Sequence, residues 1–203
     1  MSSRRPLRRR AFCCGAASLD GYDSSRVCHG LHRCGISCSG GCALDHSQYL
    51  WTAPTSVALA QAIEAEGYAH ANPTIQFPPR VIAEVYPHAG MVALFDLPKI
   101  IKYKKGSLAE KRAGLKTLRR LLGELENTEP RLHRTATLDA LLTKDLDGVG
   151  GQGLKTYEDS LDALFCGYLA YYLWYWGWER NEVFGDLQTG YIMNPKLIPG
   201  GVW

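Results

Sequence analysis

A strongly apolar run that is headed by three acids constrains the fold of this chain most. It extends from Tyr157 to Trp176 and reads YEDSLDALFCGYLAYYLWYW. At helical spacing, one face collects six apolar and aromatic side chains: Leu161, Leu164, Phe165, Tyr168, Leu169 and Tyr172. A helix with such a face has to be buried against other elements. The sequence therefore predicts a helix from about Tyr157 to Trp176 at the centre of a packed core.

The patterns on the N-terminal side of this run alternate between helix and strand. Residues 55–66 have helical periodicity and end at Gly67, whereas RVIAEV at 80–85 is a near-continuous apolar run that is typical of a buried strand. Ser107 and Glu110 form a capping box that opens a leucine-rich helix, and GYIMNP at 190–195 predicts a last short strand. We therefore expect an α/β domain over residues 53–203.

Residues 1–52 differ from the rest and show no sustained period of 2 or 3.6, so we expect an irregular segment rich in Arg and Cys. Six of the seven cysteines lie in the first 42 residues. A disulfide framework would require a secreted setting. A zinc site would use Cys28, His29, His32, Cys34, Cys38 or Cys42, but the spacing of the last three lacks the paired C-x2-C pattern. The third interpretation, which we favour, is reduced thiols in an irregular segment.

The overall charge and hydropathy of the chain indicate neither a nucleic-acid partner nor a membrane partner. Residues 51–203 hold 16 basic and 17 acidic residues, so the net charge of this part does not indicate nucleic-acid binding. No run reaches the roughly 18 uncharged apolar residues of a membrane-spanning helix. An N-terminal secretory signal is disfavoured because Asp20 interrupts its short apolar part. We expect a soluble, cytoplasmic protein without a membrane partner.

The acids at the head of the apolar run have two interpretations. On a helix, Asp159 and Asp162 are i, i+3 neighbours with Cβ atoms ~5–6 Å apart, and Asp162 lies at the edge of the apolar face. Partial desolvation of a carboxylate is unfavourable unless a cation or donors compensate, and hard cations such as Mg²⁺ take carboxylate oxygens. Asp159 and Asp162 are therefore candidate metal ligands. Alternatively, acids in the first turn of a helix are stabilised by the helix dipole and need no function.

A further acid, Glu84, interrupts the predicted buried strand. It requires a partner, because a carboxylate in an apolar strand is unfavourable on its own. The partner is either a Lys or Arg side chain or water at the strand end, or else a metal ion or a basic substrate group. The residues themselves leave both interpretations open.

The segment from Lys99 to Arg120 carries nine basic residues and one acid. Its first part interleaves Lys102, Lys104 and Lys105 with Tyr103, a pattern that can follow a phosphate backbone while the tyrosine stacks on a base. Arg112 lies in the helix that follows and is a further candidate phosphate ligand. Alternatively, this segment is a basic loop followed by a solvated helix face.

Four sequence blocks carry a family resemblance: EVYPHAGMVALFDL, KYKKGSLAEKRAGLKTLRRLL, EDSLDALFCGYLAYY and VFGDLQTGYIMNP. They resemble the predicted RNase H-like nucleases of domain of unknown function 429, from about Thr55 to Pro195. D-x-x-D-A-L at Asp159 is also similar to the last-helix acidic motif of Holliday-junction resolvases. The resemblance implies an RNase H-like mixed sheet flanked by helices, dependence on Mg²⁺ or Mn²⁺, and hydrolysis of nucleic-acid phosphodiester bonds. Asp159 and Asp162 would hold the metal, and Glu84 would complete the catalytic site.

The chain departs from the family pattern near its N-terminus. The family usually has D-G in an apolar first strand and a later D-x-P at the end of another strand, whereas Asp20-Gly21 lies outside any strand pattern and no D-x-P follows a predicted strand. We therefore expect an RNase H-like domain that is incomplete at its N-terminus. Its function is either that of a metal-dependent nuclease, impaired by loss of the first-strand acid, or that of a non-catalytic nucleic-acid-binding or relic protein on the same fold.

Overall fold

The computed structural model describes residues 10–15, 55–74, 80–188 and 190–202. Its strands are β1 (Arg10–Gly15), β2 (Ala69–His70), β3 (Arg80–Val85), β4 (Asn181–Asp186) and β5 (Gly190–Pro195). Its helices are α1 (Thr55–Ala65), α2 (Pro87–Phe95), α3 (Leu108–Glu124), α4 (Ala136–Thr143) and α5 (Gly151–Trp176). Single 3-10 turns follow α3 and α5, at Leu125–Asn127 and Gly177–Glu179.

The strands form one mixed sheet in which β3 is the central element. The order is β1-β3-β5-β4, and β2 also pairs with β3. β1 runs parallel to β3 along its whole length, with Cys14 opposite Glu84. The other edge of β3 is shared between β2, which pairs at Val81 and Ile82, and β5, which pairs at Val85; both pairings are parallel. β4 and β5 form an antiparallel hairpin. The predicted α/β class, with a mixed sheet flanked by helices, is confirmed.

Strand β1 departs from the prediction of an irregular segment over residues 1–52. Its sequence RAFCCG has no clear alternation of apolar and polar residues, so its strand conformation depends on backbone pairing with β3 rather than on local pattern. The rest of this segment lies outside the described residues. The interpretations of Cys34, Cys38 and Cys42, and the domain boundary at residue 52, therefore stay predictions.

The core lies between the sheet and helix α5. Val81, Ala83 and Val85 of β3 share one cluster of buried side chains with α2, α3, α4 and α5. Five of the six side chains predicted to face the core are buried: Leu161, Phe165, Tyr168, Leu169 and Tyr172. The sixth, Leu164, is partly buried and packs against the same cluster. In the part of the chain that the structure describes, no helix is long and apolar enough to cross a membrane.

Helix α5 begins at Gly151, well before the predicted start near Tyr157. Glycine weakens a helix, but Leu154 and Tyr157 are buried, and this tertiary packing extends the helix through the glycine-rich segment. Glu158 and Asp162 consequently lie in the third and fourth turns. The helix dipole acts within the first turn only, so it does not explain these acids.

Helix α3 begins as predicted. The Ser107 hydroxyl accepts a hydrogen bond from the Glu110 N–H at 3.3 Å, and the Glu110 carboxylate accepts one from the Ser107 N–H at 2.7 Å. Four leucines of this leucine-rich helix and of the 3-10 turn that follows it are buried: Leu115, Leu118, Leu122 and Leu125. Leu108 is 45% exposed because it occupies the first helical turn, beyond the edge of the core.

Gly114 allows the chain before α3 to lie directly on this helix. A Cβ atom at Gly114 would meet the carbonyl oxygen of Lys102 at 2.2 Å and the Cα atom of Tyr103 at 2.9 Å. Such distances are far below van der Waals contact, and both neighbours are backbone atoms that cannot turn away. The position of Lys102 and Tyr103 therefore depends on the absence of a side chain at residue 114.

We expect Gly114→Ala to lower the free energy of unfolding by about 1–3 kcal/mol, because the added methyl group forces two backbone segments apart. The matched control is Gly167→Ala in the exposed middle of α5, where a Cβ atom would meet nothing within 4 Å. This control should raise the free energy of unfolding by up to about 1 kcal/mol, since alanine favours helix. Urea denaturation measures both. A Gly114→Ala protein as stable as wild type would contradict the close packing.

Candidate functional site

Asp162 of α5 receives two polar partners from the loop that precedes α3. The Tyr103 hydroxyl donates a hydrogen bond to Asp162 Oδ1 at 2.8 Å, and Lys104 Nζ lies 2.7 Å from Asp162 Oδ2. The Asp162 side chain is only 16% exposed. Both carboxylate oxygens are thus engaged, one by a neutral donor and one by a cation, which compensates for the partial burial of the charge.

Tyr103 is fully buried, and its ring lies 5.0 Å from that of His88. Burial, together with the charge of Asp162 and the hydrogen bond to it, raises the pKa of Tyr103 well above its usual value, so the hydroxyl stays a donor. The prediction that Tyr103 stacks on a nucleic-acid base requires an exposed ring, whereas here its hydroxyl donates to Asp162 and its ring lies in the core. Its neighbours Lys102, Lys104 and Lys105 are exposed.

The other two acids of α5 share a lysine. Lys155 Nζ lies 2.9 Å from Glu158 Oε1 and 2.6 Å from Asp159 Oδ1. The hydrogen bonds to Asp159 and Glu158 raise the pKa of Lys155, which therefore stays charged. The Glu158 side chain is 7% exposed, whereas that of Asp159 is 60% exposed. Asp159 thus belongs to the solvent side of the helix and Glu158 to its buried edge.

Glu158, rather than Asp159, lies with Asp162 near Tyr103. The negative charges of both Asp162 and Glu158 contribute to the raised pKa of the Tyr103 hydroxyl. Glu158 and Asp162 are i, i+4 neighbours in the sequence, but helical spacing alone does not distinguish this pair from Asp159 and Asp162. The carboxylate pair at the buried edge is therefore Glu158–Asp162, which is not the predicted Asp159–Asp162 pair.

Glu84 lies apart from the acids of α5. Val81, Ala83 and Val85 face the core that includes α5, and successive side chains of a strand point to opposite faces, so Glu84 points to the other face. Burial raises the pKa of Glu84 to about 7. It has no ion-pair partner among the described residues, so the predicted Lys or Arg partner is not seen beside it, and the alternatives of water, a metal ion or a basic substrate group stay predictions.

His88 at the start of α2 was not predicted as a site residue, yet it borders Tyr103. Its ring is 9% exposed and also contacts Tyr86 with the ring centroids 5.6 Å apart. Burial, aided by the positive charge of Lys104, lowers the pKa of His88 to about 4, so the ring is neutral at pH 7. Its Nδ1 atom has no hydrogen-bond partner within the described ranges. In the sequence, His88 directly follows Pro87 and lies four residues after Glu84, which is the only local hint of its place near the site.

Many of the basic side chains from Lys99 to Arg120 are engaged in contacts within the protein. Five of its nine basic side chains bind acids or carbonyl oxygens: Lys104, Arg112, Lys116, Arg119 and Arg120. The side chains of the other four have no hydrogen-bond or ion-pair partner in the described part of the chain: Lys99, Lys102, Lys105 and Lys111. Arg112 donates to the Val149 carbonyl oxygen at 2.6 Å, so it fastens the loop before α5 and is a weak candidate for a phosphate ligand.

The described residues do not fit a divalent metal by themselves. Over these ranges, no group of three or more His, Cys, Asp and Glu side chains is arranged to hold a metal ion. Asp162 is bound by Tyr103 and Lys104, and Asp159 is bound by Lys155. A divalent ion at Asp162 would meet the ammonium group of Lys104 at the same carboxylate.

A cavity of about 490 Å³ lies between the segment after β2 and the β4–β5 hairpin. Ten residues of these two segments line it. The polar ones are Asn72, Thr74, Asp186 and Gln188, and the others are Ala71, Pro73, Val183, Gly185, Leu187 and Tyr191. None of the predicted site residues contributes to it. The polar cluster around Asp162 is therefore a surface site at the edge of the core, separate from this cavity.

The raised pKa of Glu84 predicts a pH-dependent stability. Its pKa is about 7 in the folded protein against 4.5 ordinarily, so the folded state binds more protons and stability falls as pH rises from about 4.5 to 7. Glu84→Gln removes this charge. The free energy of unfolding of Glu84→Gln should exceed that of wild type by at most about 3 kcal/mol at pH 8 and should equal it near pH 4. Urea denaturation at both pH values, with Glu66→Gln at an exposed position as control, measures the difference. An equal difference at both pH values would contradict the prediction.

Comparison with known proteins gives one family. No curated protein and no solved structure matches the chain. The family model described as "Protein of unknown function (DUF429)" matches residues 50–181. This range spans more than half of the chain and includes the lysines of 102–105 and the acids of α5. The chain therefore belongs to the DUF429 family.

Proposed function

We propose that this protein binds nucleic acid through the phosphate backbone, at residues 99–106, which we call the lysine loop. The observation that carries this proposal is the exposure of Lys102 and Lys105 on a loop whose backbone is held in place. Tyr103 is buried between them, and Gly114 brings the loop into contact with α3. Two solvated ammonium groups on a fixed backbone can meet successive phosphates without the loss of loop entropy that binding by a mobile segment requires.

The neighbouring residues extend the positive surface. Lys99 is exposed at the start of the loop, and Lys111 follows on the first turn of α3, each without an ion-pair partner in the described ranges. The acid Glu110 is used by the capping box, although its charge also acts on Lys102. Binding of this kind neutralises phosphates and releases counterions, so it is expected to be insensitive to base sequence and sensitive to salt.

Phosphodiester hydrolysis on an RNase H-like fold is the second candidate function. It is favoured by the position of the Glu158–Asp162 pair directly beside the lysine loop, where a bound backbone would approach carboxylates. The four sequence blocks and the mixed sheet flanked by helices support the RNase H-like fold. In such hydrolases carboxylates bind Mg²⁺ or Mn²⁺, which activate water and neutralise developing charge. Because the described residues do not fit a metal by themselves, we derive no catalytic step here.

Charge reversal in the lysine loop tests the binding proposal. We expect Lys102→Glu with Lys105→Glu to weaken binding of labelled single-stranded and duplex DNA and RNA at least about tenfold, because two phosphate contacts become repulsive. Fluorescence anisotropy at several salt concentrations measures this. The slope of log K against log salt should also fall by about 1.4–1.8.

The matched control for this test is Arg131→Glu, an exposed charge reversal outside the lysine loop. It should leave affinity within about threefold of wild type, since it changes net charge but no proposed contact. Unchanged affinity in the double variant, or wild-type binding that does not respond to salt, would remove the proposal.

Hydrolysis is tested separately, with wild type, Asp162→Asn and Asp159→Asn in Mg²⁺ or Mn²⁺ on hybrid and branched substrates. If the second candidate holds, cleavage by wild type should fall at least about a hundredfold in Asp162→Asn. Asp159→Asn should have the smaller effect, because this side chain lies on the solvent side of α5. Equal cleavage by Asp162→Asn and wild type, or none with either metal, would rule out this function for the acid pair.

A further inference from the structure

We infer that the ammonium group of Lys104 is the resident cation of Asp162, and that it competes with, and in this protein replaces, the divalent metal ion that the family resemblance implies at this carboxylate. This inference does not depend on nucleic-acid binding. It concerns the disagreement between the metal site that the family resemblance implies and the contacts that Asp162 makes. In the described residues, a lysine occupies the position beside Asp162 that a metal would need.

The geometry around Asp162 leaves little room for a second cation. Lys104 Nζ lies 2.7 Å from Oδ2, and the Tyr103 hydroxyl lies 2.8 Å from Oδ1. The Lys104 ammonium is also 5.6 Å from the centroid of the Tyr103 ring, whose electron-rich face adds a weak attraction. The Asp162 side chain is 16% exposed and that of Lys104 is 41% exposed. Lys104 thus forms the solvent-facing end of the ion pair.

The charges of the cluster balance almost completely without a metal. Three carboxylates are present, on Glu158, Asp159 and Asp162, and each has an ammonium group within 3 Å. Lys155 serves the first two, and Lys104 serves the third. Removal of Lys104 would leave Asp162 with one neutral donor at a largely buried position, which is unfavourable. A divalent ion would relieve that cost.

The chemistry of lysine makes this competition reversible. An ammonium group is a compact, strongly hydrated point charge on a flexible stem, so it can leave a carboxylate and turn into water. Lys104 is the more exposed partner, and its side chain can move without repacking the core. His88 adds no competing positive charge from the other side of Tyr103, because its ring is neutral at pH 7. Lys102 and Lys105 point to solvent and do not replace Lys104 in the pair.

Titration of the purified full chain with Mn²⁺ and with Mg²⁺, followed by calorimetry in the absence of nucleic acid, tests the inference. The key variant is Lys104→Met, which keeps the apolar stem over Tyr103 and removes the charge. We expect it to bind Mn²⁺ at least about tenfold more tightly than wild type, because one positive charge beside Asp162 is gone. Adding Asp162→Asn to this variant should abolish the gain, which assigns the new affinity to this carboxylate.

The matched control is Lys102→Met, which removes an equal charge from the same loop at a position that does not contact Asp162. Its Mn²⁺ affinity should equal that of wild type. Equal affinity in wild type and Lys104→Met would overturn the inference, as would a gain that survives Asp162→Asn. If Lys104→Met does not fold, Lys104→Gln takes its place, because it removes the charge but keeps a hydrogen-bond donor. The same outcomes then support or overturn the inference. Because this titration contains no nucleic acid, a negative result does not bear on the proposed nucleic-acid binding. A negative result in the nucleic-acid binding test likewise does not bear on the role of Lys104.

Discussion

The arrangement of the site depends on the contacts that the partly buried carboxylate of Asp162 makes. This carboxylate accepts a hydrogen bond from Tyr103, a residue with no solvent exposure that needs an acceptor for its hydroxyl. It also binds Lys104, which compensates for its own desolvation. One side chain on α5 thus fixes two successive residues of the lysine loop, and Gly114 on α3 provides the space that brings the loop within reach.

Each member of this arrangement requires the others for a physical reason. A buried hydroxyl without an acceptor costs about 1–3 kcal/mol. Loss of the cation from a partly buried carboxylate costs less than the ~3–5 kcal/mol of a fully buried pair, because solvent screens the exposed Lys104. Loss of the loop contact would therefore leave two unsatisfied groups rather than one. This mutual requirement explains an acid on the edge of an apolar helix face without reference to catalysis. It also means that any ligand of Asp162 acts on the position of the lysine loop.

The elements that could be predicted from the sequence are those with strong local signals. The capping box of Ser107 and Glu110 marks the start of α3, and the apolar run of residues 80–85 marks β3, because both signals are contained in a few adjacent residues. The buried face of α5 follows from a 3.6-residue period over many turns. In each case the local preference and the tertiary packing agree.

The remaining features depend on contacts between distant residues. Strand β4 has the sequence NEVFGD, in which a glycine and two acids weaken the pattern, and it is held by antiparallel pairing with β5. The start of α5 at Gly151 depends on the burial of Leu154. Helical spacing makes both Asp159 and Glu158 neighbours of Asp162. Which of them lies near Tyr103 is decided by the packing of the lysine loop against α5, and no local pattern contains that information.

The same dependence governs the charges. The sequence from Lys99 to Arg120 contains nine basic residues and one acid. A phosphate backbone, however, can bind only those basic side chains that make no other contact in the folded protein. Five of these basic side chains bind elsewhere in the described structure, and Lys104 is the one whose partner lies in the acid cluster of α5. The basic surface and the acid cluster therefore share Lys104. A ligand that draws this ammonium group away from Asp162 leaves the carboxylate with the Tyr103 hydroxyl as its remaining donor, so binding at Lys104 carries the cost of an unpaired and largely buried charge.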